Sequence, residues 1–159
     1  SDPFESRALT SLIYDAVNEV DDATQCLIPT VLPIRTFLEK ALLLNEEYQK
    51  KSPRSERMSR HLYDLERLMD TYSETAINDS ELYKSIIEHR KKFYHISSVD
   101  YDSDKRENIK IWPTGEIENL FRDDYKAMID SFIYNENPLT FDQLQERILL
   151  LEDKFRENA

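Results

Sequence analysis

Glycine is almost absent from this chain, Gly115 being the only one. Helix interiors do not need glycine, whereas tight hairpins and phosphate-cradling loops usually do, so the scarcity favours helix. It also excludes GxGxxG, Walker A and other glycine-rich loops from these residues. Cys26 is likewise alone, which rules out an internal disulfide and argues against a thiolate-built zinc cluster. No stretch approaches the ~18 apolar residues of a membrane span, and no signal peptide is visible. The expected setting is therefore a reducing cytoplasm, with no membrane partner. Basic residues are in deficit, 21 against 32 acidic ones, for a net charge of −11. A field of that sign repels nucleic acid phosphates, so a duplex would be gripped only at a local basic patch.

What is present is a globular composition: 159 residues, 40% hydrophobic and 33% charged, enough for one domain with a real core. The first residues, Ser1-Asp2-Pro3-Phe4, lack a methionine and read as a boundary within a longer chain.

Residues 1–32 form an extended or mixed segment and 33–159 a helical domain. Ala8 to Val17 fits strand or helix, and Asp21-Asp22 a loop. Cys26-Leu27-Ile28-Pro29-Thr30-Val31-Leu32 is apolar and β-branched but interrupted by proline, which predicts an edge strand needing a partner sheet. From Pro33 the spacing of Ile34, Phe37, Leu38, Ala41, Leu42, Leu44 and Tyr48 predicts a helix to about residue 50. A second is expected from about Ser55 to Tyr72 and a third after a cap at Asp79 or Ser80, with Leu82, Tyr83, Ile86, Ile87, Phe93 and Tyr94 inward. Residues 97–113 are polar and irregular. A fourth helix buries Ile117, Leu120, Phe121, Tyr125, Met128, Ile129 and Phe132. Asn135 to Pro138 turns the chain. A capping box of Thr140 and Gln143, with Leu139 and Leu144 as hydrophobic staple, opens the last. The fold class is mainly α, a bundle of about five helices with one or two short N-terminal strands.

Three features could carry chemistry. Lys40 lies at the margin of the first apolar stripe, where a lysine either snorkels to water or serves a site. In Arg60-His61-Leu62-Tyr63-Asp64-Leu65, Asp64 falls one helical turn after both Arg60 and His61. Such a carboxylate can orient a histidine, act as a general base or help hold a metal-bound nucleotide. It can equally be a surface ion pair beside a core histidine, worth ~0–1 kcal/mol. Arg90 projects into the apolar stripe of its helix, where it needs an acidic partner or a phosphate. Arg90 and His95 also match loosely the R-x4-H pattern of HEPN-type ribonucleases. Five residues on a helix, however, set them roughly 140° apart, and Lys91 stands where that pattern favours a polar Asn, Asp or His.

Arg35-Thr36-Phe37-Leu38-Glu39-Lys40-Ala41-Leu42-Leu43-Leu44 followed by Arg60-His61-Leu62-Tyr63-Asp64-Leu65 resembles the AbiEii/AbiGii nucleotidyltransferase toxins. These are bacterial abortive-infection and toxin–antitoxin proteins. In them a lysine-bearing helix precedes an R-x-x-x-D-L helix. Asp2-Pro3-Phe4-Glu5 and Ile28-Pro29-Thr30-Val31-Leu32-Pro33 also resemble segments upstream of that lysine. The motifs cover roughly residues 1–70. Many family members carry an aspartate where this chain has His61.

The resemblance implies a division of labour. An upstream core would carry a Gly-Ser loop and the acidic residues that bind Mg²⁺ and a nucleoside triphosphate. Lys40 would contact phosphates and Asp64 would act in catalysis. Arg60 and His61 beside them, and Arg90 from the third helix, are our further candidates for the nucleotide site. No metal ligand is assigned to these residues themselves. This chain would then be the C-terminal portion, inactive alone, with the N-terminal strands left over from the core. The implied partners are that core, an antitoxin protein, and tRNA or another acceptor. Two alternatives stay open. One is a helical protein–protein interaction module without a site, in which the candidate side chains scatter over separate faces. The other is a HEPN-type ribonuclease, in which Arg90 and His95 converge.

Overall fold

The computed structural model describes residues 4–9, 26–94, 96–101, 105–133 and 137–159. They divide into two compact units, Ser1–Pro33 and Ile34–Ala159. In the first, strands β1 (Phe4–Leu9) and β2 (Cys26–Val31) pair antiparallel, with Phe4 opposite Val31 and Leu9 opposite Cys26. The expected strand at Cys26 is present, and its partner is β1 within the chain. Pro29 faces Ser6; having no N–H, it is tolerated because β2 has, among the described residues, a neighbour on one side only. The loop expected at Asp21-Asp22, and most of Ala8 to Val17, lie outside the described residues.

The second unit holds the helices, so the chain is mainly α as its composition predicts. They are α1 (Pro33–Glu47), α2 (Ser59–Asn78), α3 (Ser80–Phe93), α4 (Glu116–Phe132) and α5 (Phe141–Glu157), with a short 3₁₀ turn at Arg106–Asn108. None is long and apolar enough to cross a membrane. Helix α1 is the spine. Phe37, Leu38, Ala41, Leu42 and Leu44 are fully buried. Phe37 stacks on Phe155 of α5 at 6.3 Å between ring centroids, and Tyr48 meets Phe121 of α4 edge-on at 5.8 Å.

Three consecutive polar residues at the end of α1, Asn45, Glu46 and Glu47, are also buried, and each is satisfied by a different segment, as buried polar groups must be. Asn45 Oδ1 accepts from the Lys110 amide at 2.9 Å. Glu46 accepts from Arg90 Nε at 2.5 Å and Nη2 at 2.9 Å. Glu47 accepts from the Arg54 amide at 2.9 Å and from Lys50 Nζ at 2.5 Å. Burial alone would raise the Glu47 carboxyl, yet the donors from Lys50 and Arg54 hold it below the usual carboxylate range. On α5, Glu152 does the same work, accepting from the amides of Ile111 and Trp112 at 2.6 and 2.8 Å. The polar stretch before α4 is thereby fastened to the bundle.

The expected caps are present. Asp79 accepts from the Leu82 amide at 2.9 Å, and Thr140 with Gln143 forms both halves of the capping box. Other details differ. Helix α2 starts at Ser59 because Arg57 adopts φ 58, a left-handed conformation that no helix propagates. It runs on to Asn78 because Ser73, Ala76 and Ile77 continue its buried stripe. Phe93, Tyr94, Leu120 and Phe132, expected inward, are 66%, 56%, 53% and 73% exposed. Phe93, Tyr94 and Phe132 sit at helix ends, and Leu120 lies one position off the Phe121–Tyr125 ridge, about 100° around the helix. Gly115, with φ 77, precedes α4 in a conformation that disfavours any side chain.

Removing one partner of a buried pair leaves an uncompensated charge. Glu46→Ala is therefore expected to destabilise the chain by about 3–5 kcal/mol in urea unfolding, whereas Glu46→Leu with Arg90→Met should recover most of that loss.

Candidate functional site

The lysine of α1 and the aspartate of α2 meet. Lys40 Nζ donates to Asp64 Oδ2 at 2.8 Å, from positions 24 residues apart in the sequence. Lys40 is on α1 because its apolar neighbours Ala41 and Leu44 commit that helix to the core, which leaves Lys40 at the stripe's edge, 22% exposed at the side chain. Leu62 and Leu65 do the same for α2 and turn Asp64 outward to 40%. Nearby, Arg35 of the same motif is buried and pairs with Glu39 at 2.9 Å.

His61 is half-buried one turn before Asp64, and its Nδ1 is buried without a hydrogen-bond partner. Burial, and then the positive charges of Lys40, Arg60 and Arg54, push the imidazole down to about 4, against a smaller upward pull from Asp64. His61 is therefore neutral at pH 7, surrounded by a field in which cations outweigh the carboxylate. Arg60 is exposed and, with Arg54, Arg57 and His61, lines a cavity of about 720 Å³. Asp64 and Arg60 face a second cavity, of about 510 Å³, between α2 and α4. Another, of about 610 Å³, lies between Tyr48 and Trp112; none of the sequence-predicted site residues lines it.

Arg90 does not join this group. Its guanidinium is buried and grips Glu46 two-pronged, which meets the need for an acidic partner that the sequence flagged. His95 lies outside the described residues, so the R-x4-H pairing has only its arginine in view, and that arginine is held by Glu46. Among the described residues no three of His, Cys, Asp and Glu come together as a metal-ligand set.

Two residues beside the predicted ones escaped sequence reasoning. Asp124 of α4 accepts from the amides of Arg57 and Ser59 at 2.6 and 2.9 Å and from the Ser59 hydroxyl, fixing the loop that aims Arg57 and Arg60. Nothing local marks Asp124, since its partners lie more than 60 residues upstream. Arg57 had a faint signal in its three-residue spacing from Arg60 at the entry to a helix.

Fold and cluster together define a helical domain that presents a lysine–aspartate pair beside a cleft lined by Arg57 and Arg60, cations suited to phosphate groups. The chain belongs to the family described as "Nucleotidyl transferase AbiEii toxin, Type IV TA system", whose family model matches residues 1–147. No curated protein and no solved structure matches it significantly.

The His61 shift has a stability consequence. With its ring near 4 in the fold and 6.5 when free, the unfolded chain binds more protons between those values, so stability falls as pH drops through that window. Chemical unfolding at pH 7 and pH 5 should show a smaller loss for His61→Gln than for the parent. Equal losses would mean that the ring titrates normally.

Proposed function

We propose that this chain carries the phosphate-handling side of a nucleotidyltransferase site, completed by a nucleotide-binding core from residues outside it. The observation that carries the reading is the Lys40–Asp64 contact at 2.8 Å. Two motifs that resemble the family's functional positions reach each other across two helices, with Arg60 and His61 beside them. The membership of the chain in a nucleotidyltransferase toxin family supports it. So does composition, because with one glycine the chain has no loop of the kind that cradles a triphosphate.

In this reading the acceptor's hydroxyl oxygen attacks the α-phosphorus of a nucleoside triphosphate. A bond from that phosphorus to oxygen forms, the bond to the leaving pyrophosphate breaks, and pyrophosphate departs with its electron pair. Lys40 exchanges the Asp64 carboxylate for phosphate oxygens, steadying charge that builds during transfer. Asp64, released, takes the proton from the attacking hydroxyl. Arg60 offers a fork of donors to a phosphate, and neutral His61 serves as a hydrogen-bonding group without adding charge. The metal-binding carboxylates belong to the core. The acceptor we favour is RNA, tRNA in particular, and the restraining partner an antitoxin, as expected of a type IV toxin–antitoxin family. The proposed setting is the bacterial cytoplasm, in phage defence.

A pure interaction module would scatter the candidate side chains. Lys40, Arg60, His61 and Asp64 gather instead, and only Arg90 stands apart. The test is nucleotide binding in Mg²⁺ with ATP, GTP or CTP. Weak binding should fall about tenfold or more in Lys40→Ala, the loss of one charge-assisted contact, and persist in Asp64→Ala, whose carboxylate competes for Lys40 and acts only in transfer. Binding that survives Lys40→Ala contradicts the site. Transfer of labelled nucleotide by this chain alone contradicts its dependence on a core.

A further inference from the structure

The cavity of about 610 Å³ at Tyr48 and Trp112 has no part in that reaction, and none of Lys40, Arg60, His61 and Asp64 lines it. Its size is that of a small-molecule site. The end of α1, the polar stretch before α4 and the first turn of α4 enclose it. Hydrogen bonds between distant segments fix these walls. Gln49 Oε1 accepts from the Asp100 amide at 2.8 Å, and Asn45 Oδ1 from the Lys110 amide at 2.9 Å. The Tyr48 hydroxyl donates to the Ile111 carbonyl at 2.9 Å, while Glu152 holds the amides of Ile111 and Trp112. Walls held in this way lose little freedom when a ligand enters.

Three features of the cavity ask for a carboxylate. Trp112 is 4% exposed, and its indole N–H, which can only donate, is buried with no acceptor among the described residues. Buried donors without a partner are rare, and this one borders an open cavity. Lys110 is exposed there and makes no ion pair among the described residues. Helix α4, 17 residues long, starts at the cavity with Glu116 and Ile117 and has no side-chain cap. Its first amides and the positive end of its dipole are therefore left to an incoming anion.

The cavity also carries negative charge. Glu116 is exposed on it without an ion pair among the described residues, and Asp100 lines it as well. Two carboxylates oppose a phosphate dianion but welcome an ammonium group. The rest of the wall is apolar, with Tyr48 and Ile117 half-buried and Leu120 53% exposed. A ligand that answers all three parts carries a carboxylate, an ammonium and an aliphatic side chain. We infer that this cavity binds a free aliphatic α-amino acid. Its carboxylate lies at Lys110, Trp112 and the start of α4, its ammonium toward Glu116, and its side chain against Tyr48, Ile117 and Leu120. The inference rests on this cavity and not on the Lys40–Asp64 reading, so the two can fail separately.

The test is calorimetry of the intact chain with leucine, N-acetyl-leucine, leucinamide and glycine, without nucleotide or Mg²⁺. Leucine should bind, and loss of either ligand charge should weaken it about tenfold. Glycine, lacking the side chain, should weaken about as much. Lys110→Ala should weaken leucine about tenfold and leave leucinamide unchanged, because that ligand has no carboxylate to lose. Glu116→Gln should weaken leucine likewise and leave N-acetyl-leucine unchanged. Both side chains are exposed, so each variant is expected to keep the parent's unfolding midpoint, which a melt checks. Trp112 is the chain's only tryptophan, so leucine should also shift the intrinsic emission. No leucine binding at low-millimolar concentration overturns the inference. So does parent-like leucine affinity in both variants, equal binding of leucine and its two charge-blocked forms, or binding that leaves the emission unmoved.

Discussion

The burial of helix α1 is the constraint from which the rest follows. A helix at the centre of a bundle can carry polar residues only if each finds a partner, because an unpaired buried charge costs several kcal/mol. Asn45, Glu46 and Glu47 close α1 as three buried polar residues in a row. Carboxylates at a helix C-terminus also oppose the helix dipole, so they are strained choices unless cations answer them. Arg90 answers Glu46, and Lys50 with Arg54 answers Glu47. Each answer fastens a different segment: α3, the loop before α2, and through Asn45 the polar stretch before α4.

The same constraint shapes the surface around Lys40 and Asp64. Once Glu47 anchors Arg54 and Asp124 clamps the Arg57–Ser59 loop, α2 starts at Ser59 and its first turns face Arg60 and His61 toward the α1 side. Lys40 then lies within a hydrogen bond of Asp64. The two ion pairs differ in burial. Glu46–Arg90 is sealed in the core and specifies packing, whereas Lys40–Asp64 is half-exposed, where ligand phosphates can compete for the lysine.

Much of the fold was legible in the sequence because it is written in local periodicity. The 3–4 spacing of Phe37, Leu38, Ala41, Leu42 and Leu44 marks α1, and Asp79 and Thr140 mark helix starts through side-chain chemistry that acts within one turn. The candidate pair was legible for a different reason, a resemblance carried by two spaced motifs. What could not be read was set by contacts distant in sequence. Asp124 reaches back to Arg57 and Ser59, and Glu46 reaches forward 44 residues to Arg90. Periodicity likewise continues through Phe93 and Phe132 without revealing that they end up exposed.

The central claim is that Lys40 and Asp64 form a working pair and not merely a fastening between two helices. Exchanging them, Lys40→Asp with Asp64→Lys, tests this directly, because it keeps the ion pair while reversing which helix offers the cation. The account predicts stability within about 1 kcal/mol of the parent and triphosphate affinity reduced about tenfold or more. A swapped chain that binds Mg²⁺-triphosphate as the parent does would contradict it and leave the pair a structural contact.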